Sequence, residues 1–156
     1  MRNLLLLLTA CFTFTACGNM QKTTTTTNEL VTEMSLPETV KTGSPILLKF
    51  TVRNPSAQEL KFCKWHTPFE GFMGMFLDIT DASGTNAQYK GIMAKRIMPP
   101  PEEAYIKVLA GDSVSVEIDL LKGYNITAPG KYKVVYQAGG MSGLVKVNEP
   151  VFNVTN

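Results

Sequence analysis

The feature that most narrows the fold is a period of two that keeps restarting along the chain. Ile46, Leu48, Phe50 and Val52 alternate with Leu47, Lys49, Thr51 and Arg53. Successive side chains on a strand point to opposite faces, so this pattern turns one apolar face inward. The run stops at Asn54-Pro55-Ser56, where Pro55 has no N–H to give a ladder. The same grammar recurs at Leu60 to Trp65, Met75 to Thr80, Gln88 to Met93, Tyr105 to Leu109, Val114 to Leu120, Tyr132 to Tyr136 and Val151 to Val154. Between these runs stand turn clusters such as Asp81-Ala82-Ser83-Gly84, Pro99-Pro100-Pro101 and Ala110-Gly111-Asp112. No apolar stripe at helical spacing interrupts them. About seven to nine short strands at turn spacings of about 8 to 12 residues predict an all-β fold, an antiparallel immunoglobulin-like β-sandwich, over residues 29–156.

The chain has 156 residues, room for one such domain. A domain of that size buries roughly two-thirds of its surface and needs no disulfide framework. Its first residues read differently. Arg2 is followed by Leu4-Leu5-Leu6-Leu7-Leu8 and a weaker apolar run to Phe14, which ends at Thr15-Ala16-Cys17-Gly18. This is the pattern of a signal peptide over residues 1–16, too short for the roughly 20 apolar residues of a membrane span. Phe14-Thr15-Ala16-Cys17 resembles a bacterial lipobox, which makes Cys17 the expected site of lipidation and a membrane anchor. Leu8-Thr9-Ala10-Cys11 fits the same consensus but would leave too short a signal. Residues 17–28, with five threonines from Thr23 to Thr27, have no apolar periodicity and read as a flexible tether. Gly18 follows the lipobox cysteine where an Asp would favour retention at the inner membrane, so the expected location is the outer membrane of the cell envelope, on its periplasmic or surface face.

Charge and residue inventory exclude several functions. The net charge is only +2 and there is no acidic tail, so nucleic acid is not an expected partner. The single histidine, His66, cannot make an HExxH zinc helix. Cys63 and His66 have C-x-x-H spacing, with Met73 and Met75 close behind, a donor set suited to Cu(I). Against that reading, methionines commonly fill core gaps, a lone histidine commonly sits on a surface loop, and Cys63 reads as a buried thiol. The adjacent carboxylates Glu102 and Glu103 point to opposite sides if their segment is extended, and read as solvated loop charges. Neither Ser83 nor Ser113 lies in a Gly-x-Ser-x-Gly elbow. The expectation is therefore no catalytic residue, no cofactor and no enzyme activity.

One segment, Lys64-Trp65-His66-Thr67-Pro68-Phe69-Glu70-Gly71, carries a family likeness. It resembles the "KWNTPFEG" stretch of the β-sandwich domain that precedes the catalytic domain in bacterial deuterolysin-type peptidyl-Lys metalloendopeptidases. Tyr89-Lys90-Gly91 with Ala94-Lys95-Arg96 resembles a second motif of that domain. Leu109 to Val116 resembles a third, and Asp119 to Tyr124 with Pro129-Gly130-Lys131-Tyr132 a fourth. The four stand in family order over Leu30 to about Ala138. Cys63 stands where the family has an aliphatic residue and His66 where it has Asn. No HExxH or downstream Asp motif follows, so the chain resembles a freestanding copy of the accessory domain. The resemblance implies a pro-region-like role in binding, restraining or assisting the folding of a zinc metalloendopeptidase.

Two functions from different classes follow. In the first, a lipid-anchored sandwich binds a protein partner through the Trp65 to Gly74 loop, with Trp65, His66, Phe69, Glu70, Phe72 and Met73 as contacts. The rings could alternatively pack beneath their own loop. In the second, the protein is a periplasmic copper carrier using Cys63, His66, Met73 and Met75.

Overall fold

The computed structural model describes residues 28–156; the expected signal peptide, the lipidation site Cys17 and nearly all of the tether lie outside the described residues. The described residues form twelve strands: β1 (Val31–Ser35), β2 (Thr39–Lys41), β3 (Leu47–Arg53), β4 (Leu60–Cys63), β5 (Leu77–Asp81), β6 (Gln88–Tyr89), β7 (Tyr105–Val108), β8 (Ser113–Asp119), β9 (Tyr124–Asn125), β10 (Gly130–Tyr136), β11 (Lys146–Val147) and β12 (Val151–Thr155). The only helical turns among the described residues are three short 3-10 turns, at Pro68–Glu70, Glu102–Ala104 and Leu120–Lys122.

Two four-stranded sheets, in the orders β11-β1-β3-β8 and β2-β12-β10-β5, send their apolar rows into one core. Leu48, Phe50 and Val52 of β3 are fully buried, as their alternation requires. From the other sheet come Leu77 and Ile79 of β5, Val134 of β10 and Phe152 of β12. The Tyr132 and Phe152 rings stack at 5.5 Å between centroids.

The structure corrects the expected antiparallel sandwich of about seven to nine strands in two respects. β1 pairs with β11 and β12 with β2 in parallel, so both sheets are mixed. The larger number of strands comes from short pieces, β2, β6, β9 and β11, that add two or three residues each to a sheet or ribbon. Pairs this short leave no legible period in the sequence. Glu102 and Glu103 are also not in an extended segment: they open a 3-10 turn, and Glu102 reaches back to Lys61 at 3.2 Å in an exposed ion pair.

Asn54 explains how one ribbon serves two places. The ladder β3–β8 continues beyond it as the two-stranded pair β4–β7. At the bend Asn54 is fully buried and uses its whole amide: Nδ2 donates to the carbonyls of Gln58 (2.7 Å) and Val108 (2.9 Å), and Oδ1 accepts from the N–H (3.0 Å) and hydroxyl (2.6 Å) of Ser56. These bonds replace ladder bonds that Pro55 cannot make.

Candidate binding surface

Two long connections, residues 64–76 between β4 and β5 and residues 90–104 between β6 and β7, fold against each other. The N–H of Ile92 donates to the carbonyl of Phe72 at 2.8 Å and that of Ala94 to Met73 at 3.0 Å.

The first connection is built around a tight reversal. Thr67 caps the 3-10 turn, its hydroxyl accepting from the Phe69 N–H at 3.2 Å and donating to the Lys64 carbonyl at 2.6 Å. Pro68 suits the first position of that turn because its φ is already set. Just before it, His66 has φ +57, the one positive φ outside glycine among the described residues. That conformation is held from both sides: the His66 N–H donates to Glu70 Oε1 at 2.8 Å, and the Tyr136 hydroxyl donates to the His66 carbonyl at 3.0 Å. The Tyr136 hydroxyl also bonds the Ser142 hydroxyl at 2.7 Å. Burial pushes the Tyr136 phenol up to about 12; the Ser142 hydrogen bond acts against that shift and the nearby Cys63 adds to it.

This geometry turns the loop's rings inward. Phe69 packs edge-on against Phe50 and Phe62, at 6.2 and 5.3 Å between centroids. Phe72 stacks on Phe76 at 5.9 Å and meets Tyr124 edge-on at 6.0 Å. A Cβ on Gly123 would lie 2.1 Å from the Phe72 ring, so this position has room for glycine alone. Trp65 is 9% exposed and forms a second small cluster with Cys63 and Ala104. Cys63 is a free, buried thiol, as its sequence context suggested.

Arg96 fastens the second connection onto the first. Its Nη2 lies 2.6 Å from Glu70 Oε1, and its guanidinium sits 4.9 Å over the Trp65 ring. The Glu70 side chain is only 8% exposed and that of Arg96 15%. One carboxylate oxygen thus receives both the His66 N–H and the Arg96 guanidinium, so a charge-assisted pair and a cation–π contact hold the loops together.

The surface left outside this latch is apolar. Ile92, Met93, Ile97 and Met98 are each at least 60% exposed, with Met75 exposed nearby, and Lys90 and Lys95 interleave with them.

Residues 33–142, a span that contains both connections and the ribbon hinged at Asn54, match the sequence model of an immunoglobulin-like domain. The chain belongs to the immunoglobulin-like domain family. This immunoglobulin-like domain is 28% identical over 110 residues to an uncharacterized secreted protein of Arthroderma benhamiae, a match covering 62% of this chain and 56% of the relative. The chain therefore spans about half the length of that curated relative. Among solved structures it is similar to a β-glucosidase from Listeria innocua (16% identity, 82% of this chain and 16% of that chain, TM-score 0.44). It is also similar to a CARDB domain from Pyrococcus furiosus (12% identity, 81% and 88%, TM-score 0.43).

Within the immunoglobulin-like domain, Trp65, Phe69, Glu70 and Phe72 lie together in one loop, Trp65 buried and the other three half-buried, with the Phe69 and Phe72 rings packed on the core as in the alternative of rings beneath their own loop. Met73 and His66 stay half-buried at its rim. The expected soft-metal set of Cys63, His66, Met73 and Met75 spans the inside and the outside of this loop. Cys63 is enclosed with Trp65 and Ala104, while Met75 is exposed. No group of three His, Cys, Asp or Glu side chains suited to a metal occurs among the described residues. The residues that sequence reasoning missed are Arg96 and its apolar neighbours Ile92, Met93, Ile97 and Met98. The available signal was a single arginine set among exposed-type loop residues and large apolar ones.

Proposed function

We propose that this immunoglobulin-like domain is a non-catalytic, lipid-anchored protein of the bacterial cell envelope that binds a protein partner through the surface formed by residues 92–98. The proposed partner is a zinc metalloendopeptidase that the domain restrains or helps to fold, as the likeness to deuterolysin-type accessory domains implies. The observation that carries the binding role is the exposed apolar row Ile92, Met93, Ile97 and Met98. Four large apolar side chains left in water within seven residues are costly for a monomer and typical of an interaction site. The Glu70–Arg96 latch and the backbone bonds to Phe72 and Met73 fix this segment in advance, which lowers the ordering cost of binding. The secreted character of the fungal relative agrees with a role outside the cytoplasm.

The test is a peptidase of that type mixed with the full chain. Wild type should slow substrate cleavage or raise the peptidase's refolding yield, and a variant with serine at 92, 93, 97 and 98 should lose that effect while melting as wild type does. An equal effect from both proteins would place the contacts elsewhere.

A second reading, a soft-metal carrier, draws on one contact. The His66 ring lies against Gly74, with Nε2 3.2 Å from where a Cβ would stand, and Met73 and Met75 flank that glycine. Imidazole and thioether together suit Cu(I). Competition against a Cu(I) chelator, with His66→Phe as the variant, tests it: unchanged affinity in the variant removes it.

A further inference from the structure

The long edge of the first sheet is open. Among the described residues β8 pairs only with β3, over seven consecutive residues without a bulge. Two bonds at the ends of this ladder set its phase: the Asn54 N–H donates to the Asp112 carbonyl at 2.9 Å, and the Leu120 N–H to the Ile46 carbonyl at 2.9 Å. Bonded pairs recur every second residue in an antiparallel ladder. The backbone groups of Val114, Val116 and Ile118 therefore face β3, and those of Ser113, Ser115, Glu117 and Asp119 face away. The Ser113 N–H is taken by Asp112 Oδ1 at 2.7 Å. Among the described residues, no backbone group bonds the outward N–H and C=O groups of Ser115 and Glu117 or the outward N–H of Asp119, whose carbonyl opens the 3-10 turn at Leu120.

Other edges of the two large sheets are short or covered. β2 has three residues and β11 two. The free side of β5 is bridged by Asn86, with the Ala87 N–H on the Ile79 carbonyl at 2.7 Å. Edge strands are normally guarded by lysine, proline or a bulge. From Asp112 to Leu121 the chain has no lysine, arginine or proline and three acids. The inward row of β8 points the same way. Val114, Val116 and Ile118 remain partly exposed, whereas their partners Val52, Phe50 and Leu48 are fully buried. A shallow depression of about 260 Å³, lined by Lys49, Ser115, Val116 and Glu117, lies at this place.

We propose that β8 takes up an extended peptide segment that alternates apolar with basic residues, adding a fifth strand to the sheet. The open backbone groups specify a strand, the half-covered valines specify an apolar face, and charge specifies the other face. Glu117 makes no ion pair among the described residues, although Lys49 stands opposite it on β3; the Asp119 carboxylate on the same face is engaged through Oδ1 by the Ile46 and Leu121 N–H groups and leaves its second oxygen for a cation. The same charge disfavours a second copy in the register that would align the two strands best. Antiparallel β8 pairs centred on Val116 would set the two Glu117 carboxylates on a close diagonal, a repulsive arrangement. Strand addition of this kind draws affinity from main-chain bonds and specificity from alternate side chains. The site is separate from the segment 92–98, so either proposal can fail alone.

The experiment titrates the full chain, 15N-labelled, with a capped seven-residue peptide that alternates valine and lysine, and with the same peptide carrying glutamate for lysine. The lysine peptide should shift the amides of Ser115, Glu117 and Asp119, and the glutamate peptide should not. Ser115→Pro removes an outward N–H, together with the 2.8 Å bond of the Ser115 hydroxyl to Thr51 of β3, and should weaken binding about tenfold, the cost of one unmet hydrogen bond. Glu117→Lys should weaken it by a similar factor, and this arm decides if Ser115→Pro does not fold. Equal binding by the two peptides, binding that survives Glu117→Lys, no shift at any concentration up to about 1 mM, or a chain already dimerised through β8 would each overturn the proposal. The fourfold serine variant of residues 92, 93, 97 and 98 should bind the lysine peptide as wild type does.

Discussion

Residues 64–76 and 90–98 are neighbouring loops of similar apolar content with opposite fates. In the first, Trp65, Phe69, Phe72 and Phe76 are drawn beneath their own backbone. In the second, Ile92, Met93, Ile97 and Met98 stay in water. Composition does not decide this. The first loop reverses direction at His66 and again through the 3-10 turn, which brings Phe69 over Phe50 and Phe62. The second has one inward anchor, Arg96, and that anchor buries a charge in place of an apolar group. A loop that spends its inward position on an ion pair leaves its apolar side chains to face outward.

The comparison can be broken most forcefully from the inside. Phe69→Ala should destabilise the fold by about 3–5 kcal/mol, the usual cost of deleting a buried ring, read from denaturant unfolding. A cost below about 1 kcal/mol would mean that the ring is not core. Glu70→Ala should cost nearly as much, about 3–5 kcal/mol, because it leaves the Arg96 guanidinium buried and unpaired. In a double-mutant cycle with Arg96→Ala the two losses should be far from additive; simple additivity would dissolve the latch.

A smaller effect concerns pH. Burial holds the Tyr136 phenol at about 12 and raises that of Tyr124 as well, whose hydroxyl donates to the Leu77 carbonyl at 2.8 Å. The unfolded chain ionises these groups near 10, so between pH 10 and 12 the unfolded state holds fewer protons than the folded one and stability falls as pH rises. Below pH 10 this contribution is fully present. Tyr136→Phe should flatten the slope of stability against pH in that window, and an unchanged slope would show that the phenol is not held neutral by the fold. The smallest expected effect is outside the latch: serine at 92, 93, 97 and 98 should change stability by no more than about 0.5 kcal/mol per site.

Much of the sandwich was legible because β3, β8, β10 and β12 are long enough to show a period of two. The aromatic loop stands out by its residues, but the sequence leaves open whether its rings face outward or pack beneath their own backbone. The reversal at His66 depends on partners distant in sequence, Tyr136 among them, which no local pattern reveals. Arg96 was hidden for a similar reason: its partner Glu70 lies 26 residues away, and the segment between Met93 and Met98 has neither a strand's alternation nor a turn's composition. The expected strand from Gln88 to Met93 shrinks to the two residues of β6, since beyond it Lys90 bonds to Gly123 and Ile92 to Phe72 of the aromatic loop. Mixed pairing was invisible because the parallel partners β2 and β11 are too short to announce themselves.

The central claim is that the outward loop, and not the aromatic one, carries the contacts with a partner. The most direct measurement is inhibition or refolding of a deuterolysin-type metalloendopeptidase by the full chain, wild type against the fourfold serine variant, with thermal melts of both. The account predicts matching melts and an effect on the peptidase reduced at least tenfold in the variant, equivalent to about 1.4 kcal/mol of binding free energy. Matching melts with an undiminished effect would contradict it.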